Sequence, residues 1–358
     1  VPHCGDLDEK LRDKLQQYDP AVRVYDVCLE ASSYSTPGNK KHKLFCRNMN
    51  ECHRRFRSFD IKILALLLSR FDEVMMLDAD TLFFQNPMTV WQTKKYQETG
   101  TLFFHDRMSC DHEFLASRRA RRGNITHLEE YLSDFDPVPF QNLKIIPRPR
   151  ATSTAHKEPP ISLPFEPSEF LMRSHSWNRR AGHQADSSLM LWDKRRQQRA
   201  TAILGSFIAF GGISRPPSYG DKEFYFISCE LAESAYAFSD FGTGAIGTDV
   251  RNSEEKGNSV LCGDALHYVP EDTGSSDPAT LYINSDHITS WKTSDKLWRS
   301  KARPASLFPG KIELRHLAQE CPFDISVERV TEAEIELLAR RQKFHEIALS
   351  WNATIPVV

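Results

Sequence analysis

Three short stretches of this 358-residue chain combine residue types that can do chemistry. The first, Asp78-Ala79-Asp80, closes the apolar run Val74-Met75-Met76-Leu77. The D-x-D pattern decides nothing by itself, since it recurs at Asp6-Leu7-Asp8 and Asp134-Phe135-Asp136. Those two copies follow no strand-like segment and read as surface turns. In extended backbone, residues two apart point to the same side, so Asp78 and Asp80 can approach one ligand. Paired carboxylates beyond a strand end suit Mn²⁺ or Mg²⁺ that completes its shell with diphosphate oxygens and water. Without a cation, like charges so close resist joint ionisation. The plainer reading is a capping or turn pair.

The second stretch, Asp186-Ser187-Ser188, opens the apolar run Leu189-Met190-Leu191-Trp192. Its hydroxyls and carboxylate suit the polar face of a hexose, and they equally suit a strand-entry turn. The third, Asp221-Lys222-Glu223, follows Tyr219-Gly220 at the start of a helix-like run. Acids there are stabilised by exposed backbone amides, which alone would explain them. Two single residues join the set. His267 ends an apolar strand; an imidazole suits Mn²⁺ beside carboxylates, or it is a partly buried strand histidine. Lys62 sits on an otherwise apolar helix, able to reach a diphosphate or to snorkel to solvent.

The elements that must position these residues follow from periodicity. Val22 to Val27 alternates as a short strand, and residues 29–54 read as a basic loop holding two cysteines. From Phe56 the apolar spacing is helical as far as Ser69 and Arg70. Glu73 to Asp80 is apolar on both faces, as a central strand would be. Asn86-Pro87 opens a helix and Thr101 to His105 is a strand. Strand and helix alternating at these spacings indicate an α/β sheet. Eight prolines from Pro137 to Pro167 exclude regular structure over 135–170, which reads as an irregular surface insertion. Downstream come a strand at 187–192, helices at 195–210 and 221–235, and strands near 236–238, 261–269 and 281–284. Thr331 with Glu334 caps a charged C-terminal helix running to Trp351.

Composition narrows the class. Lys+Arg 46 against Asp+Glu 48 leaves a formal net charge of −2, which argues against a general nucleic-acid binder. The longest unbroken aliphatic run, Ile63 to Leu68, is far short of the ~18 residues of a membrane span. Eight scattered cysteines form no C-x-x-C pair, so neither a zinc ribbon nor a thioredoxin motif is present. Together with the sequons at Asn124 and Asn352, the even count leans toward the secretory pathway and disulfides. The basic run Arg118 to Arg122 reads as a solvated face.

Phe59 to Leu67, followed by Phe71 to Thr81, resembles the donor-site core of the fungal Golgi α-mannosyltransferase family, which includes α-1,3-mannosyltransferases. Ala185 to Lys194 and Tyr219 to Phe224 agree in order and spacing. Leu261 to His267 and Leu281 to Asn284 agree more loosely. The resemblance, over about residues 5–290, implies a GT-A fold: a Rossmann-like, mostly parallel sheet flanked by helices. It divides the chain into a catalytic domain over 1–310 and a packed helical tail over 311–358. Within the former, the donor half covers about 1–134 and 171–235, the insertion 135–170, and the acceptor and metal half about 236–310.

It also implies GDP-mannose as donor, Mn²⁺ (Mg²⁺ possible) as cofactor, and a glycan or glycoprotein acceptor. Asp80, Asp78 and His267 would be the metal set. Lys62, Asp78, Ser187, Ser188, Lys222 and Asn284 would bind donor. Asp221, then Asp186, with Glu223, would be the carboxylates near the anomeric carbon. An α-linked donor giving an α-mannoside requires retention, by a covalent intermediate or by same-face attack. The α-1,3 linkage is favoured over α-1,2. The implied location is the Golgi lumen, as a type II membrane protein whose anchor is absent from this chain. The family's upstream strand and helix, which help hold the base, have no counterpart before Asp6. The competing readings are a transferase using a UDP-sugar such as galactose or N-acetylglucosamine, and a secreted carbohydrate-binding protein without turnover. A glycoside hydrolase with paired carboxylates fits less well, because it needs no strand-end D-x-D.

Overall fold

The computed structural model describes residues 1–36, 38–108, 113–119, 125–149, 161–252, 259–271, 278–285, 296–305, 321–322 and 325–350. The sequon residues Asn124 and Asn352, Cys110, and Ala120 to Arg122 of the basic run lie outside them.

The first third begins with β1 (Pro2–His3), α1 (Glu9–Tyr18), β2 (Tyr25–Asp26) and α2 (Val27–Ser33). Asp8 and Asp26 cap the two helices by accepting backbone N–H bonds. The strand expected over 22–27 therefore shrinks to two residues, because Asp26 diverts the chain into α2. Residues 29–54 are not a loop. They hold the end of α2, the hairpin β3 (Ser35–Thr36) and β4 (Asn39–Lys43), and most of α3 (Met49–Phe56). Disulfides Cys4–Cys28 and Cys46–Cys52 staple this small region, which lacks the apolar periodicity of a self-sufficient unit. A third disulfide joins Cys262 to Cys321, and Cys229 is a buried free thiol.

Next come α4 (Asp60–Leu68), β5 (Glu73–Leu77), β6 (Thr81–Phe83), α5 (Lys94–Thr99) and β7 (Thr101–His105). Gly100, at φ +67°, ends α5 in the left-handed region. Three minor elements, β8 (Arg118–Arg119), β9 (Ile125–Thr126) and α6 (His127–Ser133), lead to the proline-rich insertion. Its described parts hold little regular structure and lie mostly at the surface, as expected, but they are anchored to the core. Phe135 and Phe165 are buried, and Arg148 bonds the fully buried Glu230 at 3.0 Å. The two phenylalanines and the Arg148–Glu230 ion pair supply the anchors.

The remainder comprises α7 (Glu169–Arg173), β10 (Ala185–Asp193), α8 (Gln198–Ile208), α9 (Phe224–Leu231), β11 (Gly244–Asn252), β12 (Ser259–Tyr268), β13 (Thr280–Asn284), β14 (Trp298–Ser300), β15 (Val327–Arg329) and α10 (Glu332–Ser350). Thr331 and Glu334 cap α10 reciprocally, as expected.

Two sheets carry the architecture. One has the order β5-β10-β7, the other β15-β14-β11-β12-β13-β6. The fold is mixed α/β, yet the strand pairs within both sheets are antiparallel, correcting the mostly parallel arrangement expected. The reason is specific. β5 and β7 point the same way, as their strand–helix–strand link suggests, but β10 arrives from eighty residues downstream and fills the slot between them in the opposite sense. β10 is the central strand, buried along its whole length, while β5 lies at the edge with Leu77 exposed. A continuous apolar run does not distinguish those two positions.

The layers follow. Helices α2, α3, α4, α8 and α9 pack on one face of the small sheet through Ile63, Leu66, Met190, Trp192, Ile203 and Phe226. Its other face meets the large sheet through Leu102, Phe104, Leu189, Leu191 and Tyr282. The large sheet is closed on its far side by α10, through Leu338 and Ile335 against Leu266, Ile283 and Leu82.

Candidate active site

The central strand β10 carries polar groups into both layers at its first turn of residues. On the helix side, the Ser187 hydroxyl donates to Asp221 Oδ1 at 3.3 Å. Lys62, projecting from α4, donates to Ser187 Oγ at 3.2 Å, and lies 2.5 Å from Asp78 Oδ1 and 3.8 Å from Asp221 Oδ1. Tyr225, from the first turn of α9, donates its hydroxyl to Asp221 Oδ2 at 2.8 Å. The Asp78 backbone extends the β5–β10 ladder by donating to Ser188 O at 2.9 Å.

Here one ammonium faces two carboxylates. Burial works to lower the Lys62 pKa, but Asp221 and Asp78 together outweigh it and hold it above the ordinary value. Burial pushes both the Asp78 and Asp221 carboxyls up, against the pull of Lys62. A single cation shared between two acids compensates neither fully. Asp221 is sealed at 1% side-chain exposure, whereas Asp78 keeps 24% and Lys62 18%, so this cluster opens to solvent on one side.

On the sheet side, Asp186 Oδ2 lies 2.8 Å from His267 Nε2, and Asp186 Oδ1 accepts the Ser188 N–H at 2.9 Å. His267 stacks on Tyr282 at 4.5 Å between centroids, with the edge of Phe104 at 5.4 Å. The Tyr282 and Ser188 hydroxyls pair at 3.1 Å. Burial would raise the Asp186 carboxyl, but His267 and Lys222 hold it well below the usual range. Asp186, Ser188, Leu189 and Leu191 all reach this layer, so strict alternation breaks once, between Ser188 and Leu189. The register against β7 shifts over the same residues, a bulge of the kind that re-aims side chains beside sites.

Asp78-Ala79-Asp80 is a turn and not extended strand, because β5 ends at Leu77 and β6 begins at Thr81 in the other sheet. The same-side argument for the two carboxylates therefore does not apply. Both are instead half-buried at a connection held by several bonds. Thr81 N–H donates to Asp78 O at 3.2 Å, and Ser285 N–H to Asp80 O at 3.3 Å. Arg341 of α10 donates to Ala79 O at 3.0 Å. Asn284 pairs with Thr81 in the ladder, and its Oδ1 is buried with no hydrogen-bond partner among the described residues.

Among the described residues, no group of three or more His, Cys, Asp or Glu side chains is gathered to hold a metal. His267, expected as a ligand beside Asp78 and Asp80, is placed against Asp186. A divalent cation that retains water and shares a diphosphate needs only one or two protein carboxylates, and the turn meets that requirement.

The Asp221-Lys222-Glu223 stretch divides among three partners. Asp221 joins Lys62, and Lys222 pairs with Asp106 at 2.7 Å. Glu223, fully buried, accepts Gln184 N–H at 2.9 Å and lies 3.4 Å from His183 Nδ1. Burial raises its carboxyl, against the pull of His183. Behind them Gly220, at φ +67°, packs so tightly that a Cβ would meet the Phe59 ring at 2.9 Å. The segments leading to Lys62 and Asp221 thereby line a cleft of about 310 Å³ that includes Phe59, the paired Asp60 and Arg215, and Gly220. Tyr225, Tyr282, Asp106, His183 and Arg341 were not among the expected residues. Of these, only Tyr225, one helical turn after Asp221, left a readable spacing.

A family model described as "Mannosyltransferase putative" matches residues 2–269. The chain belongs to that mannosyltransferase family. It is 24% identical over 283 residues to alpha-1,3-mannosyltransferase MNN1 of Saccharomyces cerevisiae, covering 76% of this chain and 35% of that protein. It is 27% identical over 194 residues to "Putative alpha-1,3-mannosyltransferase MNN14" of Candida albicans, covering 54% and 24%. A shorter match, 32% over 54 residues, is to alpha-1,2-mannosyltransferase MNN23 of Candida albicans, covering 15% and 9%. The first relatives it matches are three to four times longer than the aligned stretch, which covers 24% to 35% of each. Apart from Tyr282, the residues of both networks around β10, from Lys62 to His267, lie within the family match, and α10 lies beyond it.

Proposed function

We propose that this chain carries the catalytic unit of a retaining α-mannosyltransferase. It moves mannose from GDP-mannose to a glycan or glycoprotein acceptor, forming α-1,3 in preference to α-1,2 linkages, in the Golgi lumen. The observation that carries this reading is the convergence of Lys62, Asp78, Ser187 and Asp221 beside the D-x-D turn, in a chain of a mannosyltransferase family. The α-1,3 preference is supported by the names of the relatives with the longer matches.

The donor set at Asp78 and Asp80 fits Mn²⁺, with Mg²⁺ as substitute. When bound there, the ion would supply charge neutralisation for the departing diphosphate. The rest falls to the chain itself. Lys62 presents its ammonium to a phosphate oxygen, and Ser187 and Asp221 fix the direction in which it points. Tyr225 holds the second Asp221 oxygen, so Asp221 acts by orienting Lys62. Asp186 likewise has both oxygens engaged, by His267 and the Ser188 amide. Neither acid is open to the anomeric carbon, which favours same-face attack. In that route the acceptor hydroxyl forms the new glycosidic bond as the sugar–phosphate bond breaks, and its proton passes to the departing diphosphate. Configuration is retained.

The test is transfer by the purified chain from GDP-mannose, against UDP-galactose and UDP-N-acetylglucosamine, with Mn²⁺ or with chelator. Turnover confined to GDP-mannose and Mn²⁺ is expected, with an α product by NMR. Preference for a UDP-sugar would replace the donor assignment, and sugar binding without any turnover would favour a carbohydrate-binding role. Asp80→Ala is expected to abolish transfer and metal-dependent GDP binding together. Retained metal-dependent binding in that variant would remove the metal role given to Asp80.

A further inference from the structure

Helix α10 lies outside the residues the family model matches, 2–269, yet it reaches the D-x-D turn. Its placement is fixed by three kinds of contact. Leu338 is buried and Ile335 partly so, against the β6 residue Leu82 and the residue after that strand, Phe84. Arg299 of β14 lies 3.4 Å from Glu334 and 2.5 Å from Glu328. Ile335, Leu338 and Arg341 then recur at three-residue spacing, which puts them along one face of the helix. That face carries Arg341 to the turn, where Nη2 donates to Ala79 O at 3.0 Å.

Ala79 is the middle residue of Asp78-Ala79-Asp80. An exposed carbonyl there needs no arginine, since water would satisfy it. A guanidinium carries five N–H donors in a planar fork, and its match is a carboxylate or phosphate. Only one of those donors is used on Ala79. We infer that Arg341 is a substrate-positioning residue: it braces the D-x-D turn through Ala79 and offers its remaining donors to the diphosphate of the nucleotide donor. The C-terminal helix is thus part of the donor site. The inference rests on the proposed use of a nucleoside diphosphate at this turn.

The experiment compares the whole chain with Arg341→Ala, Arg341→Gln and Arg341→Lys, using GDP and guanosine as probes by calorimetry in Mn²⁺. Arg341→Ala and Arg341→Gln are expected to weaken GDP by about tenfold, the value of one charge-assisted hydrogen bond. Guanosine affinity should stay unchanged, as should the melting temperature. Arg341→Lys, which keeps the charge and the reach, should recover part of the GDP affinity. The wild-type advantage over Arg341→Ala should also shrink as salt is raised. GDP affinity equal to wild type in both Arg341→Ala and Arg341→Gln overturns the inference and leaves the proposed function standing. Equal weakening of GDP and guanosine overturns it too, because that marks a structural brace alone. Failure of the wild-type chain to bind GDP in Mn²⁺ removes the proposed function and this inference together.

Discussion

The two sides of β10 solve opposite problems with similar residues. On the sheet side, Asp186 meets His267, and aromatic rings close around the pair until both are 6% exposed or less. On the helix side, Lys62 is divided between Asp78 and Asp221, and the group is left open at Asp78. A closed, matched pair holds structure in place. An unmatched and partly open cluster retains capacity for another charged group. Adjacent residues of one strand, Asp186 and Ser187, therefore belong to different parts of the protein's chemistry.

Removing Lys62 tests that contrast most severely. On the proposed role of Lys62 as a donor to the leaving group, Lys62→Met should lower transfer by about 100-fold or more. It should also cost about 3 kcal/mol of stability, because Asp78 and Asp221 are left facing each other. Adding Asp221→Asn should recover thermal stability without recovering transfer. Recovery of both in the double variant would make Lys62 a structural ion and dissolve the distinction.

The sheet side should respond differently. His267→Phe leaves Asp186 buried without its nearest partner, so stability should fall by about 3 kcal/mol. Combining Asp186→Asn with His267→Gln removes the carboxylate and the imidazole while keeping polar groups, and should restore much of that loss. Transfer per folded molecule should then remain within about threefold of wild type, as expected of an interaction that holds shape. A stable but inactive double variant would assign the sheet side a direct part in the reaction.

The smallest effect is the pH dependence, where the two sides differ in sign. The Asp186 carboxyl is depressed in the folded protein, so its stabilising contribution is complete above its unfolded value near pH 4 and is lost as pH falls below it. Asp78 and Asp221 are raised by burial, so the folded state holds their protons more tightly; the stability they contribute is present at low pH and is lost as pH rises through their folded values. Urea midpoints from about pH 3 to about pH 7 should show Asp186→Asn flattening the acid limb. Asp78→Asn should instead gain relative to wild type as pH rises. Identical profiles for the two variants would contradict the assignment of opposite environments.

Local signals were readable and partnerships were not. Thr101 to His105 is a strand in full, and Thr331 with Glu334 caps its helix, because each depends on neighbours a few residues away. The apolar run before Asp78 singled out, among three D-x-D copies, the one that the structure places beside Lys62. Its edge position was hidden, since the strand that pairs with it comes from Ala185 to Asp193. His267 shows why chemistry is harder to read than pattern. A histidine at the end of an apolar strand looks the same whether it meets a metal or Asp186, 81 positions away. The segment at 29–54 escaped for another reason: its order leans on disulfides, and its basic surface residues carry no apolar period.

The Asp78-Ala79-Asp80 turn has a mechanical consequence. It is the direct covalent link from a strand of one sheet to a strand of the other, and three residues span at most roughly 10 Å. So short a tether has almost no slack. Any sliding of the two sheets past each other must distort the very residues that carry the carboxylates. The rigidity of the sandwich and the geometry of the turn are one property, and whatever loosens either degrades the other.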